Sequence, residues 1–197
     1  MVYTFLLIKA NPSAVAKIVP LVYNDSINLP EALMIRLATY GDLPVIGRIF
    51  DAARERMHSG GNPNQWINGY PAREDTMRDI DNGNCYVICD ESGVRAVFTY
   101  IEGIEPTYGY IEGAWPDDEP YGTIHRIASD GCYHGTLREA VNFALTKRST
   151  LRIDTHRDNA PMLAAIKGCG FTYCGVIFLD EAHTNARVAF QITGEKA

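Results

Sequence analysis

The sequence lacks the long apolar run that a membrane-spanning helix needs. Such a helix takes about 20 mostly apolar residues, whereas the apolar N-terminal stretch is interrupted by Lys9, Pro12, Lys17 and Pro20. The basic start that is typical of a signal peptide is also missing from residues 1–3. We therefore expect a cytoplasmic protein with no membrane anchor.

Two further absences exclude whole classes of protein. Lys and Arg number 18 against 24 Asp and Glu, for a net charge of −6, so the basic surface of a nucleic-acid-binding protein is not expected. The five cysteines do not have the spacing of zinc knuckles. Because an odd number of cysteines without a compact framework indicates free thiols, we predict a reducing compartment and no structural metal.

The common nucleotide-binding motifs are missing as well. Neither G-x-G-x-x-G nor G-x-x-x-x-G-K-[ST] occurs. The composition, 46% apolar and 21% charged, is that of a globular protein with enough apolar material for a packed core. A turn-rich connector, "NDSINLPEAL", precedes a strand and helix pattern that starts at Met34. We therefore expect an N-terminal extension, residues 1–33, and one self-sufficient domain, residues 34–197.

Strand and helix patterns alternate through the rest of the chain. Thr39 and Asp42 have the spacing of a capping box before the first helix. Apolar spacing predicts helices at 43–57, about 74–81, 137–145 and 160–167, and strands at 85–90, 95–103, 123–128 and 151–156, followed by two more in "YCGVIFL" and "ARVAFQI". This order indicates an α/β protein.

The segment "GTIHRIASDGCYHGTLREAV" reads as a strand, a glycine turn and a helix. The first turn of a helix carries unpaired N–H groups and the positive end of the helix dipole, so such a unit can bind an anion. Gly135 would let a phosphate approach the backbone, and Thr136 would add a hydroxyl. The alternative interpretation is a simple connection. A second such unit follows, where Asp158 or Asn159 can cap the helix and Pro161 lies in its first turn.

In the order and spacing of these units the chain resembles the GNAT superfamily of N-acetyltransferases, over about residues 34–179. The family motif R/Q-x-x-G-x-G/A, aligned on Gly135, reads Cys132-Tyr133-His134-Gly135-Thr136-Leu137 here. Cys132 replaces Arg/Gln and Leu137 replaces the second Gly/Ala. Ile166 stands where many relatives carry a catalytic tyrosine. The resemblance implies a central mixed sheet flanked by helices, with splayed parallel strands at the cofactor site.

The resemblance also implies a co-substrate, acetyl-CoA, and residues that bind it. Ile127 and Ser129 would offer backbone groups to pantetheine. Asn159 would bond the pantetheine arm from the second helix. The pyrophosphate would be held by the residues of the turn and the start of the helix: Tyr133, His134, Gly135, Thr136 and Leu137. Arg138 is either a phosphate ligand or a surface residue.

Two histidines are candidates for the base that takes a proton from the attacking amine. His125 lies on the strand beside the expected thioester, and the alternative is a buried histidine satisfied by hydrogen bonds. His156, with Asp154 and Arg157, ends the next strand, at the sheet edge where α/β folds place their sites. Its alternative is a capping network for the helix that follows.

The acceptor site should come from loops that carry aromatic and amide side chains. We predict that it includes Gln65, Trp66, Tyr70, Trp115 and Tyr121. The predicted function is direct acetyl transfer from acetyl-CoA to a primary amine of a small molecule or peptide. Two alternatives stay open: a GNAT-like module that binds CoA without turnover, and an unrelated α/β hydrolase or redox enzyme. The sequence does not fix the oligomeric state, and a homodimer is compatible with it.

Overall fold

Eight strands and four α-helices make up residues 33–194, the part of the chain that the computed structural model describes. The strands are β1 (Met34–Leu37), β2 (Cys85–Asp90), β3 (Gly93–Glu102), β4 (Glu112–Gly113), β5 (Tyr121–Ser129), β6 (Thr150–Thr155), β7 (Thr172–Phe178) and β8 (Ala186–Thr193). The helices are α1 (Leu43–Ser59), α2 (Arg73–Asp81), α3 (Thr136–Leu145) and α4 (Ala160–Gly168). The predicted extension, apart from Leu33, lies outside the described residues.

The strands form one mixed sheet in the order β1-β2-β3-β5-β6-β8-β7-β4. Within it, β5 and β6 are the parallel pair, and they are paired only from Tyr121 opposite Thr150 to Thr123 opposite Arg152. Beyond Thr123 the two strands separate, which leaves one edge of β5 without a strand partner. The predicted mixed sheet with splayed parallel strands is therefore confirmed.

A bulge in β5 lies where the two strands separate. Thr99 of β3 is opposite His125 and Val97 is opposite Ala128, so two residues of β5 face the single residue Phe98. Arg126 has a φ of 47°, in the left-handed region that residues other than glycine rarely occupy. Because a bulge bends its strand and increases the local twist, it turns β5 away from β6.

Successive side chains of a strand point to opposite faces of the sheet, and in these strands apolar residues occur at both sets of positions. Both faces of the sheet are therefore buried. On one face α3 and α4 cover a core that includes Phe98, Ile124 and Ile153. On the other face α1 packs on a second cluster, which includes Val87 and Val97. Beyond α1, this second face is covered by the segment between β3 and β5, whose apolar and aromatic residues pack with Ile177 and Ala189.

Local signals predicted the helices better than the loops. The capping box forms, with the backbone N–H of Thr39 donating to Oδ2 of Asp42 at 2.8 Å. The short 3₁₀ turn at Pro106–Tyr108 and the two-residue β4 were not predicted, because neither is long enough to have a periodicity. None of the helices among residues 33–194 is long and apolar enough to cross a membrane.

Candidate active site

A cavity of about 940 Å³ opens between the separated strands. One part of it lies along β5 and reaches the first turns of α3 and α4, where it contacts Ile127, Ser129 and Thr136. The other part is lined by the loop after α1 and by polar residues of β5, β6 and β8. The two parts communicate through the gap in the sheet, so two molecules can meet there.

The start of α3 presents free backbone donors to this cavity. The side chain of Asp130 accepts the N–H groups of Cys132 and Tyr133, at 2.8 and 3.0 Å. The N–H groups at the start of the helix, from Thr136 to Arg138, have no acceptor among residues 33–194. Gly135 caps the helix with a φ of 92°, and open space surrounds the position where a Cβ would lie. An anion would therefore meet donors after Tyr133 rather than along the whole turn.

The predicted pyrophosphate residues divide into two groups. Thr136 and Leu137 line the cavity, whereas His134 and Gly135 are exposed and are not part of its lining. Tyr133 packs its ring against the core under α3. Leu137 is only 5% exposed and is also part of that core. The larger side chain that Leu137 has in place of Gly/Ala is therefore accommodated mainly in the hydrophobic core.

An amide network joins the loop after α1 to the start of α4. Asn159 caps α4, since its side chain accepts the N–H of Met162 at 3.2 Å. Its amide nitrogen donates to Oε1 of Gln65 at 2.9 Å, and Asn62 donates to the same oxygen at 2.8 Å. Asn159 and Gln65 both line the cavity. The amide predicted to bond pantetheine therefore already has protein partners on both of its polar atoms.

His125 forms the centre of the polar part of the cavity. Its Nε2 lies 3.1 Å from Oε2 of Glu105, and because a carboxylate can only accept, this nitrogen carries the proton. Nδ1 then has its lone pair available, and Oδ1 of Asp154 lies 4.0 Å from it. That carboxylate accepts a hydrogen bond from the hydroxyl of Tyr108 at 2.8 Å. The arrangement suits a base that acts through Nδ1.

Glu105 is held as a carboxylate. The hydrogen bond with His125 lowers the pKa of Glu105 to about 2, against the opposing effect of burial. Its other oxygen accepts from the hydroxyl and the backbone N–H of Thr107, at 2.9 and 3.3 Å. A fixed anion at this position selects the tautomer of His125 in which Nε2 carries the proton.

Replacing Glu105 with Gln is expected to lower the free energy of unfolding at pH 7 by about 1–3 kcal/mol. The folded pKa of about 2 lies below the ordinary value of about 4.3, so the native state binds fewer protons than the unfolded state. The stabilisation is therefore present above about pH 4.3 and is lost as the pH falls toward 2. Urea unfolding at pH 7 and pH 2.5 measures it, with Glu119→Gln, at an exposed loop residue, as the control. Equal losses in the two variants at pH 7 would contradict the assignment.

Besides Tyr133, His134 and Gly135, three more of the predicted site residues lie outside the cavity lining: Trp115, Tyr121 and His156. Trp115 and Tyr121 enclose the guanidinium of Arg152, whose carbon lies 4.1 and 3.9 Å from the two ring centres. Nδ1 of His156 accepts a hydrogen bond from the backbone N–H of Asp158 at 3.2 Å. This contact favours the alternative interpretation of His156 as part of a capping network. Burial, with the positive charge of Arg187, lowers the pKa of His156. These three residues therefore have packing and turn contacts within the protein, and their roles in the site stay predictions.

Two other positions follow from the same geometry. Ile166 is fully buried in the core beneath α3 and α4, so this position offers the cavity no acid. Arg138 donates to the carbonyl of Gly168 at 2.7 Å, at the end of α4, which favours the surface interpretation. Arg56 also lies beside the turn that precedes α3, since it donates to the carbonyl of Ser129 at 2.5 Å.

Several charged residues that line the cavity were missed, among them Glu105, Arg126, Arg187 and Arg56. Glu105, Arg126 and Arg187 lie on or near strands far apart in the sequence, and only the sheet brings them together. Arg56 belongs to the C-terminal part of α1, where a helical pattern alone predicts a solvated residue. Glu105 had one local signal, since an acidic residue before Pro106 and Thr107 is typical of a capped turn. Among residues 33–194, no group of three or more metal-ligating side chains occurs.

Comparison with known proteins shows which family has this architecture. No protein-family model and no curated protein matches the sequence. Among solved structures, a GNAT-family acetyltransferase from Streptococcus agalactiae is 32% identical, with a TM-score of 0.73 over 83% of this chain and 96% of that chain. The fold of this chain is thus shared with a GNAT-family acetyltransferase. The chain belongs to the GNAT family.

More distant structures share the fold alone. The yncA protein of Salmonella typhimurium, solved with its cofactor acetyl-CoA, is 12% identical, with a TM-score of 0.54 over 84% of this chain and 96% of that one. A ribosomal-protein-alanine N-acetyltransferase from Brucella melitensis is 18% identical, with a TM-score of 0.53 over 81% and 99% of the two chains.

Proposed function

We propose that the protein is an acetyl-CoA-dependent N-acetyltransferase that acetylates a primary amine directly, in a ternary complex. One observation carries the proposal. A single cavity joins the unpaired edge of β5, the free N–H groups of α3 and the His125–Glu105 pair. The first two suit the donor molecule, and the third suits deprotonation of the acceptor.

The residues along β5 and α3 fit the donor. Pantetheine resembles a peptide backbone and can bond to an exposed strand edge, and β5 has no strand partner on that side beyond Thr123. Gly135 leaves room for the pyrophosphate beside the first turn of α3. Arg56 adds a guanidinium at the turn, where Cys132 has replaced the family's Arg/Gln. The carbonyl of Ser129 is already bonded to Arg56, so Ile127 is the stronger candidate for a pantetheine contact.

The polar part of the cavity supplies the acid–base groups. An alkyl amine is mostly protonated at neutral pH and must lose a proton before it attacks. His125 accepts that proton through Nδ1, while Glu105 holds Nε2 and Asp154 stabilises the resulting positive charge. Tyr70 is the one tyrosine that lines the cavity among the described residues. It is our candidate for the group that returns a proton to the departing thiolate.

The alternative, a module that binds CoA without turnover, is favoured by one observation. Ile166 gives the cavity no acid on α4. The test measures acetyl-CoA binding by calorimetry and thiol release with a panel of amines. Binding with release supports the transferase, whereas binding without release supports the module. Absence of binding would overturn both.

Replacing Gly135 with Asp is expected to weaken acetyl-CoA binding about 10–100-fold, because the new carboxylate would repel the pyrophosphate. Gly135→Asn is the matched control, since Asn has the same size and also tolerates a positive φ. Calorimetry on both variants separates the charge from the backbone effect. If Asp and Asn weaken binding equally, the pyrophosphate does not lie at this turn.

A further inference from the structure

Arg187 of β8 is a buried cation without a buried anion to match it. It is only 7% exposed and lines the polar part of the cavity. Its Nη1 donates to the carbonyl of Ala186 at 3.0 Å and to the side chain of Asn185. Within residues 33–194, no carboxylate oxygen lies within 4.0 Å of its guanidinium nitrogens, and Nε and Nη2 have no hydrogen-bond partner.

Two other arginines, the partly buried Arg126 and the buried Arg152, are compensated. Arg126 forms two hydrogen bonds with Asp79, and Arg152 lies between two aromatic rings and donates to Gln191. An uncompensated buried charge is costly, and proteins normally pair it. Burial lowers the pKa of Arg187, which records the same cost, although the charge of Asp154 partly opposes it. The free Nε and Nη2 edge is therefore placed to bind an anion that enters the cavity.

Arg187 and His125 share one face of the sheet. His125 lies on the same side as Asp154, to which its Nδ1 points. Asp154 is opposite Ala189, and Arg187 is two residues from Ala189, so its side chain lies on that side too. The strands β5 and β8 are separated by β6 alone, and both side chains line the same cavity. A small molecule in this cavity can therefore contact both of them.

We propose that the acceptor is an amine that carries a carboxylate close to its amino group, as an amino acid does, and that Arg187 binds this carboxylate. The proposal rests on the proposed transferase function and names its class of substrate. The planar guanidinium binds a carboxylate through two parallel hydrogen bonds, using Nε and Nη2. Asn185 fixes the orientation of the guanidinium through Nη1. The amino group then faces His125, where its proton is removed.

The test compares the proteinogenic amino acids with their amides and with the corresponding decarboxylated amines. For the preferred acceptor, wild-type kcat/KM in thiol release should exceed that of the amide about 100-fold. Arg187→Met should remove this preference, mainly by raising KM for the amino acid. Methionine suits the test because apolar residues of similar volume often replace buried charges without loss of stability. Arg187→Lys, which keeps the charge but not the fork, should lie between the two.

A second readout does not depend on turnover. Calorimetry measures the binding of the amino acid and of its amide to the protein saturated with CoA, and of acetyl-CoA alone to each variant. Amino-acid binding that is present in the wild-type protein and abolished in Arg187→Met supports the carboxylate site. If such binding occurs without any thiol release, the carboxylate site stands and the transferase function is overturned. Efficient release with amides or plain amines, or equal losses for both acceptors in Arg187→Met, would overturn the carboxylate site and leave the transferase standing.

Discussion

Replacing His125 with Ala is expected to lower kcat for acetyl transfer about 10²–10⁴-fold while the Kd for acetyl-CoA stays unchanged. The imidazole lies on the acceptor side of the gap, with Nε2 fixed by Glu105 and Nδ1 free. Its removal leaves the attacking amine without a positioned base. The free edge of β5 and the start of α3, where we place the donor, are not changed.

Steady-state kinetics at several pH values and calorimetry with acetyl-CoA measure the two quantities. The rate lost by His125→Ala should be smallest at high pH, where a larger fraction of the amine is already deprotonated. His58→Ala is the control, because His58 is exposed in the last turn of α1 and does not line the cavity. If kcat and acetyl-CoA affinity fall by the same factor, His125 is a structural residue rather than a base.

The strand–turn–helix units could be predicted because their signals are local. Gly135 is the N-cap of α3 and Asn159 caps α4, and in both cases the deciding residue is adjacent to the helix it begins. The mixed sheet followed from the resemblance that these units carry. The separation of β5 and β6 has no local signal of its own, because it depends on a bulge at Arg126 that only pairing with β3 reveals.

The polar part of the site could be predicted only in part. His125 was a candidate because it lies on the strand beside the gap, but its partner Glu105 is 20 residues away in a turn without periodicity. Arg187 lies in a segment whose sequence predicts only a β-strand. The role proposed for Arg187 depends on its burial and on the lack of a neighbouring carboxylate among residues 33–194. Trp115 and Tyr121, which were predicted for the substrate pocket, enclose Arg152, and their place in the acceptor site stays a prediction.

The second large effect concerns the ion pair that holds the bulge. Asp79→Asn is expected to lower the free energy of unfolding by about 3–5 kcal/mol, because it leaves the charge of Arg126 buried and uncompensated. Asp79 is 5% exposed and accepts from Nε and Nη2 of Arg126 at 2.7 and 2.8 Å, and from the hydroxyl of Thr99 at 2.9 Å. It lies near the C-terminal end of α2, where a negative charge is unfavourable to the helix dipole. Its position is therefore explained by Arg126 rather than by the helix.

Urea unfolding of Asp79→Asn, with Asp81→Asn as the matched control on the same helix, tests this assignment. Asp81 is exposed and accepts one hydrogen bond from Tyr40 at 2.6 Å, so its loss should cost less than about 1 kcal/mol. The double variant Asp79→Asn/Arg126→Met removes the stranded charge and should recover most of the lost stability. Equal losses in the two single variants would show that the ion pair does not stabilise the bulge. A double variant that stays unstable would mean that the hydrogen bonds of the pair, rather than its charge balance, keep Arg126 in its left-handed conformation and hold the gap open.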